Sequence, residues 1–169
     1  MTTAIKGNDT STFGGAIAAN NVSAIVPAFS AYLSSTQDFT NGVYTKIAYN
    51  VEEFDTNSNY DNATNYRFTP TVAGYYQVHT SVYLDAVTAN LAGAFLLFYK
   101  NGVNSKLTTP YVTGTANRWS GNLSALFYMN GTTDYIESYF RQASGATQTL
   151  LGNATGTTVF FQGFLARAA

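Results

Sequence analysis

The segment from Tyr66 to Val78 constrains the fold more than any other part of the chain. Pro70 and Gly74 lie in this segment, and after Gly74 the residues alternate between two sets. Proline fixes its own φ and glycine gives the backbone freedom, so the pair predicts a turn that leads into a strand. One face of that strand is predicted to carry Tyr76, Val78, Thr80, Val82 and Leu84, and the other Tyr75, Gln77, His79, Ser81 and Tyr83.

Short segments of the same kind recur along the chain, separated by turn signals about every 8–12 residues. Alternation and turn residues predict strands at 28–33, 45–51, 74–84, 94–99, 123–129, 135–141, 148–151 and 158–167, with a long polar loop at 52–65. No segment keeps a helical period over two turns. The pattern predicts an all-β sandwich of two antiparallel sheets.

The composition restricts what the surface can bind. Charged residues are 10% of the chain, against roughly 25% in an average soluble domain, and aromatic residues are 15%. A net charge of −1 without a basic cluster argues against nucleic-acid binding. No apolar run is long enough to insert into a membrane. Several predicted strands are apolar on both faces, which favours burial against other copies in a closed homotrimer.

The sequence divides into two regions. Residues 1–23 are rich in Thr, Asn, Gly and Ala without periodicity, and residues 24–169 carry the strand pattern. We therefore predict an N-terminal arm or stem followed by one head domain. The arm is either a partly disordered leader or a segment ordered by neighbouring copies or by a particle.

The residues that carry catalytic chemistry are sparse. His79 is the single histidine, and it lies in the middle of a predicted strand rather than beside a nucleophile and a carboxylate. We expect it to pack or hydrogen-bond at a subunit contact. The acidic run from Glu52 to Asp55 is typical of a solvated loop, although paired carboxylates can hydrolyse glycosides. The sequence predicts a non-enzymatic protein without a cofactor.

Metal binding has a weak signature in the polar loop. Asp55, Asn57, Asn59 and Asp61 place oxygen atoms at alternate positions, roughly as in a calcium loop. The glycine at the turn and the bidentate glutamate are missing, so we predict no metal, with Asp55 and Asp61 as the only weak candidates. The alternative is a cluster of Asx turns.

Trp119 is the lone tryptophan, and its position allows two interpretations. It anchors the core, or it forms an exposed ligand platform with Arg118 and Tyr111, because Trp, Tyr and Arg are favoured at binding hot spots.

Three motifs together resemble a known family. Phe68 is followed after five residues by Gly74-x-Tyr76, then by Tyr99-Lys100-Asn101-Gly102, and near the end by Phe161-Gln162-Gly163-Phe164-Leu165. From about Pro27 to Arg167 the chain resembles the globular head of complement component one, subcomponent q, within the tumour-necrosis-factor-like jelly rolls. Val78 departs from the pattern, because the family prefers Phe there.

The resemblance implies a ten-stranded jelly roll that assembles as a tight trimer, binds targets through exposed loops and is not an enzyme. The Thr/Asn/Gly-rich leader and the segments 26–32 and 71–78 look like the versions carried by tailed bacteriophages, on tail fibres or as surface knobs. No collagen-like Gly-x-y repeat precedes the domain, which differs from the animal proteins.

These observations lead to a functional hypothesis with two alternatives. The first is a trimeric virion surface protein, a tail-fibre tip or capsid knob, that binds a host-cell glycan or protein and contacts other virion proteins through its arm. The alternatives are a secreted adhesin or ligand located outside the cell, and a glycan-degrading enzyme. The predicted receptor contacts are Asn57, Asn59, Tyr60, Tyr111, Arg118 and Trp119, and the predicted trimer contacts are Tyr75, His79, Tyr83, Tyr135, Tyr139, Phe160 and Phe164.

Overall fold

The structure is a computed structural model that describes residues 26–85, 87, 91–109, 118–156 and 158–169. The predicted arm, residues 1–23, and the receptor candidate Tyr111 lie outside the described residues. The boundary at residue 24 therefore stays a prediction.

The described residues form thirteen strands and no helix. The strands are β1 (Ala28–Tyr32), β2 (Gln37–Phe39), β3 (Thr45–Lys46), β4 (Val51–Asp55), β5 (Tyr60–Asp61), β6 (Arg67–Phe68), β7 (Gly74–Leu84), β8 (Gly93–Lys100), β9 (Val103–Thr108), β10 (Trp119–Met129), β11 (Ile136–Ala143), β12 (Gln148–Leu150) and β13 (Phe160–Ala168). Five of them are only two or three residues long, which explains why about ten were predicted.

The strands build two antiparallel sheets. Sheet A has the order β2-β12-β7-β13-β1-β4, with β10 paired to β7, and sheet B has the order β5-β6-β11-β8-β9, with β3 paired to β11. The core lies between the sheets. Its centre is an aromatic cluster in which the Phe29 ring stacks on Phe68 at 4.2 Å and meets the edge of Phe161 at 4.9 Å between centroids. The predicted all-β sandwich is confirmed.

Strand β7 has the two faces that its alternation predicts. Tyr76, Val78, Thr80 and Val82 are fully buried toward sheet B, whereas the residues between them are at least partly exposed. Gly74 has a different role from the predicted one, because its φ is not positive. A Cβ there would lie 2.5 Å from the carbonyl oxygen of Arg167, so glycine is needed for the close approach of β13.

The hairpin between β8 and β9 follows the sequence prediction. Asn101 and Gly102 both have positive φ, at 54° and 77°. Positive φ at both central residues gives a turn whose twist matches that of the strands, and Asn-Gly is the pair that adopts it most readily.

The prediction for residues 45–65 was wrong in two respects. The single strand predicted at 45–51 ends at Lys46, because the backbone nitrogen of Ala48 donates to the side chain of Gln37 rather than to a neighbouring strand. The predicted loop at 52–65 contains most of β4, which pairs with β1, and the short β5. Ile47 and Tyr49 are buried, so the alternation that predicted a strand reflects core packing.

A buried hydroxyl cluster joins the two sheets. The Tyr49 hydroxyl lies 2.6 Å from Oγ1 of Thr80 on β7 and donates to Oγ of Ser138 on β11 at 3.2 Å. Burial raises the pKa of Tyr49 well above its usual value. Hydrogen bonding keeps these polar groups compatible with the apolar interior.

Candidate functional site

The outward side of sheet A carries an exposed apolar surface, which we call the aromatic face. Its most exposed members are Phe54 at 51%, Tyr75 at 42%, Leu126 at 52%, Tyr128 at 46% and Phe164 at 51%. They belong to β10, β7, β13 and β4, of which the first three are neighbours and β4 is separated from β13 by β1. Exposed apolar surface of this kind marks an interaction site rather than ordinary solvent-facing structure.

The aromatic face lacks charge across its central strands. The register of β7 and β10 aligns their outward residues in pairs such as Tyr75 with Tyr128 and His79 with Ser124. No charged side chain occurs among these outward positions, which are Tyr75, Gln77, His79, Ser81 and Tyr83 on β7, and Ser120, Asn122, Ser124, Leu126 and Tyr128 on β10. Depletion of charge is typical of the buried centre of protein interfaces.

A groove of about 260 Å³ crosses the aromatic face where β4, β1, β13 and β7 lie side by side. Its lining residues are Ala28, Phe29, Phe54, Gln77, His79, Gln162, Gly163 and Phe164. The His79 ring packs against Phe160 at 5.7 Å between centroids, and burial lowers the pKa of this histidine. A neutral imidazole at neutral pH suits an apolar contact better than a charged one.

The architecture has counterparts among solved structures. No protein-family profile matches the chain, and no curated protein matches its sequence. Solved structures do match: Eiger TNF from S. frugiperda has a TM-score of 0.61 at 10% identity and covers 86% of this chain and 94% of its own. Phage PRD1 vertex protein P5 follows at 0.60 and 11%, covering 85% and 99%, and murine APRIL at 0.58 and 11%, covering 83% and 98%. The fold is a tumour-necrosis-factor-like jelly roll.

The predicted trimer contacts fall on both sides of the jelly roll. Tyr75, His79, Tyr83, Phe160 and Phe164 lie on the outward side of sheet A. Tyr139 lies on β11 of the other sheet and Tyr135 directly precedes that strand, so the structure does not bring them to the aromatic face.

Two of the predicted receptor contacts are buried. Asn59 is 5% exposed, and its side chain bonds the Asn57 carbonyl oxygen and the Thr71 backbone nitrogen. Tyr60 is 6% exposed and stacks on Phe29 at 5.2 Å. Neither side chain presents a surface to a receptor, and these two predictions are corrected. They failed because the polar residues around them suggested an exposed loop.

The remaining receptor candidates have mixed positions. Trp119 is 8% exposed and packs on Phe140 at 5.6 Å, so the core interpretation holds and the platform interpretation does not. Arg118 is exposed and pairs with Asp85 at 2.8 Å, and Asn57 is half-buried. Of the predicted receptor contacts within the described residues, Arg118 and Asn57 alone stay open.

The carboxylates of the polar segment serve as turn acceptors. Asp55 accepts the backbone N–H groups of Asn57 and Tyr60, and Asp61 accepts those of Ala63 and Thr64. These bonds hold the pKa of Asp61 at about 2. The cluster is therefore built of Asx turns, the alternative to a calcium loop, and the described residues hold no set of three or more metal-ligating acid or histidine side chains.

Three contributors to the aromatic face were missed from the sequence. Phe54 was hidden in an acidic run, while Leu126 and Tyr128 belong to a strand that was predicted to start at Leu123 rather than at Trp119. Extending the alternation back to Trp119 separates a small and apolar row from a row that runs Ser, Asn, Ser, Leu, Tyr. That second row was the sequence signal that could have identified Leu126 and Tyr128 as outward residues.

Within the described part of the chain, no helix is both long and apolar enough to cross a bilayer.

Proposed function

We propose that this chain is a non-enzymatic, homotrimeric surface protein of a virion, located on the capsid or the tail, that attaches the particle to a host-cell receptor. The aromatic face carries the proposal. A charge-free apolar surface in contact with water is unfavourable, and a closed ring of copies covers such a surface without leaving it open to further growth.

Two observations support the virion role. PRD1 vertex protein P5 is a vertex protein by name, and it shares the fold over most of both chains. The chain itself is poor in charge and rich in Thr, Asn and aromatic residues. In the proposal, residues 1–23 fasten the trimer to other virion proteins, and loops and sheet surfaces away from the aromatic face meet the receptor.

A secreted ligand or adhesin is the second candidate. The likeness to Eiger TNF and to murine APRIL favours it, because both share this fold over more than four-fifths of the present chain. The two candidates share a trimeric, exposed binding head and differ in whether the chain is carried by a particle.

Assembly and attachment are tested separately. Light scattering after size-exclusion chromatography of the full chain should give three times the protomer mass of 18.2 kDa. Particles assembled with a chain that lacks residues 1–23 should lose the protein, while the truncated chain still forms trimers. A monomer at micromolar concentration would contradict the assembly, and retention of the truncated chain on particles would contradict the role of the arm.

Receptor attachment needs its own measurement. Fluorescently labelled trimer should bind host cells saturably, and unlabelled trimer should compete with it. Incubation of purified protein with host surface polysaccharide should release no smaller fragments. Fragment release would favour the glycan-degrading alternative over a purely adhesive role.

A further inference from the structure

The outward side of sheet B holds an arginine between two aromatic rings. The Arg141 guanidinium carbon lies 4.8 Å from the centre of the Phe95 ring and 5.4 Å from that of Tyr44. Its Nε donates to the carbonyl oxygen of Gly42 at 3.0 Å. Of the described residues, no carboxylate lies within 4.0 Å of this guanidinium, although three other cations have such partners. Arg141 is thus a fixed cation that has no acidic partner among the described residues.

The turn that carries Tyr44 is fastened to the end of β11. Gly42 donates its backbone N–H to the Gln142 carbonyl oxygen at 2.8 Å. The Asn41 side-chain oxygen accepts the backbone N–H groups of Ser144 at 3.0 Å and Gly145 at 2.8 Å. These bonds hold the turn in one place, yet 46% of Tyr44 is exposed. A side chain that is both exposed and held in position loses little entropy when it binds.

The position of this cluster leaves it accessible in the proposed assembly. Phe95 and Arg141 are paired residues of β8 and β11 in sheet B, whereas the aromatic face is the outward side of sheet A. Burial of sheet A against neighbouring copies therefore leaves the Arg141 cluster on the outside. Each trimer would present the cluster three times, which raises avidity for a surface that repeats one ligand.

We propose that Tyr44, Phe95 and Arg141 form a binding site for a carboxylated sugar, namely a hexuronic acid unit of a surface glycan. A guanidinium pairs with a carboxylate through two parallel hydrogen bonds. The carboxylate of a hexuronic acid projects from the rim of a pyranose chair, whose C–H groups form an apolar face. An exposed aromatic ring beside a fixed cation matches both parts of that ligand, whereas an acidic peptide supplies the carboxylate on a flexible chain without the ring.

The inference rests on the proposed host attachment, for which it names a ligand class and a site. It differs from the loop candidates Asn57 and Arg118. The Arg118 guanidinium is already paired with Asp85, while that of Arg141 is not paired with an acid of the described chain.

Calorimetry with trigalacturonate as the probe tests the site on the full-length trimer. This short probe reaches one site at a time, so avidity does not enter. Arg141→Gln should weaken binding by at least about tenfold, because it removes a charge-assisted pair. Tyr44→Ala should weaken it by about five- to tenfold. Arg141→Lys should bind more weakly than wild type, because it keeps the charge but loses the two-pronged geometry.

Lys106→Gln is the matched control variant. Lys106 is an exposed cation on β9 of the same sheet, so its loss removes the same charge without touching the Arg141 cluster. Its affinity should stay within about twofold of wild type, a shift expected from long-range screening alone. The methyl ester of trigalacturonate is the matched ligand, and it should bind at least about tenfold more weakly than the acid. Melting temperature and oligomeric mass establish that each variant is folded.

The possible outcomes distinguish failure of the proposed site from failure of the proposed host attachment. Equal binding of the acid and its methyl ester, equal losses in Arg141→Gln and Lys106→Gln, or competition by poly-glutamate as effective as that by trigalacturonate would overturn the site. Failure of wild type to bind trigalacturonate, with cell attachment unchanged in Arg141→Gln, would also overturn it and leave the attachment role standing. Specific trigalacturonate binding by a protein that does not attach to host cells would support the site and refute the proposed attachment.

Discussion

The outward faces of the two sheets differ in how their aromatic rings are covered. Sheet B pairs several of its outward rings with its own side chains: Tyr99 stacks on Tyr139 at 4.1 Å, and Arg67 lies 4.4 Å from the centre of the Tyr135 ring. Sheet A leaves its outward rings largely exposed: the outward positions of β7 and β10 carry no charge, and Lys100 of sheet B lies 6.0 Å from the centre of the Tyr128 ring. The difference lies in where the few charges of the chain are placed.

Two leucines show the contrast most directly. Leu97 lies between the inward residues Leu96 and Phe98 of β8, and although it points away from the core it is fully buried. Leu126 occupies an outward position on β10 and is 52% exposed. The outward Leu97 on the inner strand β8 of sheet B is thus covered within the protomer, whereas Leu126 of sheet A is left exposed, as is Leu107 on the edge strand β9 of sheet B. We infer that the covering for sheet A comes from other copies.

The largest expected effect comes from placing a charge on the aromatic face. Leu126→Lys should dissociate the trimer, because a lysine buried in an apolar contact without a partner costs about 3–5 kcal/mol. Light scattering at micromolar concentration should then show a monomer. Circular dichroism should still report a β-rich fold, because Leu126 contributes to the surface of the protomer rather than to its core.

Leu107→Lys is the control for that substitution. Leu107 lies on β9 of sheet B and is 51% exposed, almost the same as Leu126. The lysine there should remain solvated, so the oligomeric mass should not change. A trimer that tolerates Leu126→Lys, or that is lost equally in both variants, would remove the distinction between the faces.

An intermediate effect is expected from the tyrosine pairs. Double-mutant cycles on Tyr99 and Tyr139 of sheet B should give a coupling of about 0.5–1.5 kcal/mol, the range measured for aromatic pairs. This value should not depend on protein concentration, because the pair is satisfied within one protomer. Urea unfolding at two concentrations differing a hundredfold measures it.

The corresponding pair on sheet A should behave differently. Tyr75 and Tyr128 meet at 5.5 Å between centroids and are both more than 40% exposed. If neighbouring copies bury this pair, its substitutions also weaken association, and the apparent coupling will change with protein concentration. A coupling that is equally insensitive to concentration in both pairs would show that the aromatic face is not an assembly surface.

Sequence reasoning reached the fold because its signals were local. Alternation in β7 and the Asn101-Gly102 pair each specify a backbone geometry within a few residues, and both agree with the structure. It failed at Phe54 and Tyr60, because the polar composition of the surrounding segment, rather than its backbone geometry, was used to predict the structure. Polar neighbours suggested a solvated loop, but Asp55 and Asp61 accept backbone N–H groups of the residues that follow them, and the short strands β4 and β5 end at these two aspartates.

The candidate sites were harder to predict because they depend on which strands become neighbours. Leu126 and Phe164 share a face only after β10 and β13 pair with opposite edges of β7. Arg141 meets Tyr44 only through the turn that Asn41 fastens to the end of β11. Arg141 and Tyr44 are 97 positions apart and Leu126 and Phe164 are 38 apart, so spacing along the chain does not predict that they meet.

The smallest expected effect is acid weakening of assembly through His79. Burial lowers the pKa of this side chain below its usual 6.5, so the folded and assembled protein favours the neutral form. Stability from this group is complete above pH 6.5 and is lost as pH falls below that value, because the unfolded and dissociated states bind the proton more readily. The side chains opposite it are Gln162 and Ser124, and neither can compensate a charge.

Sedimentation of the full chain between pH 7.5 and 5.5 should therefore show that the dissociation constant of the trimer rises by a few-fold for each protomer. For one proton, this rise is at most about tenfold per pH unit. His79→Gln should flatten this dependence, because glutamine does not titrate. Sheet B supplies the internal comparison, since the chain has a single histidine and this residue lies on sheet A. The trigalacturonate affinity of the Arg141 cluster should accordingly stay constant while the trimer weakens. Equal acid sensitivity in wild type and His79→Gln would instead assign the proton to a group other than His79.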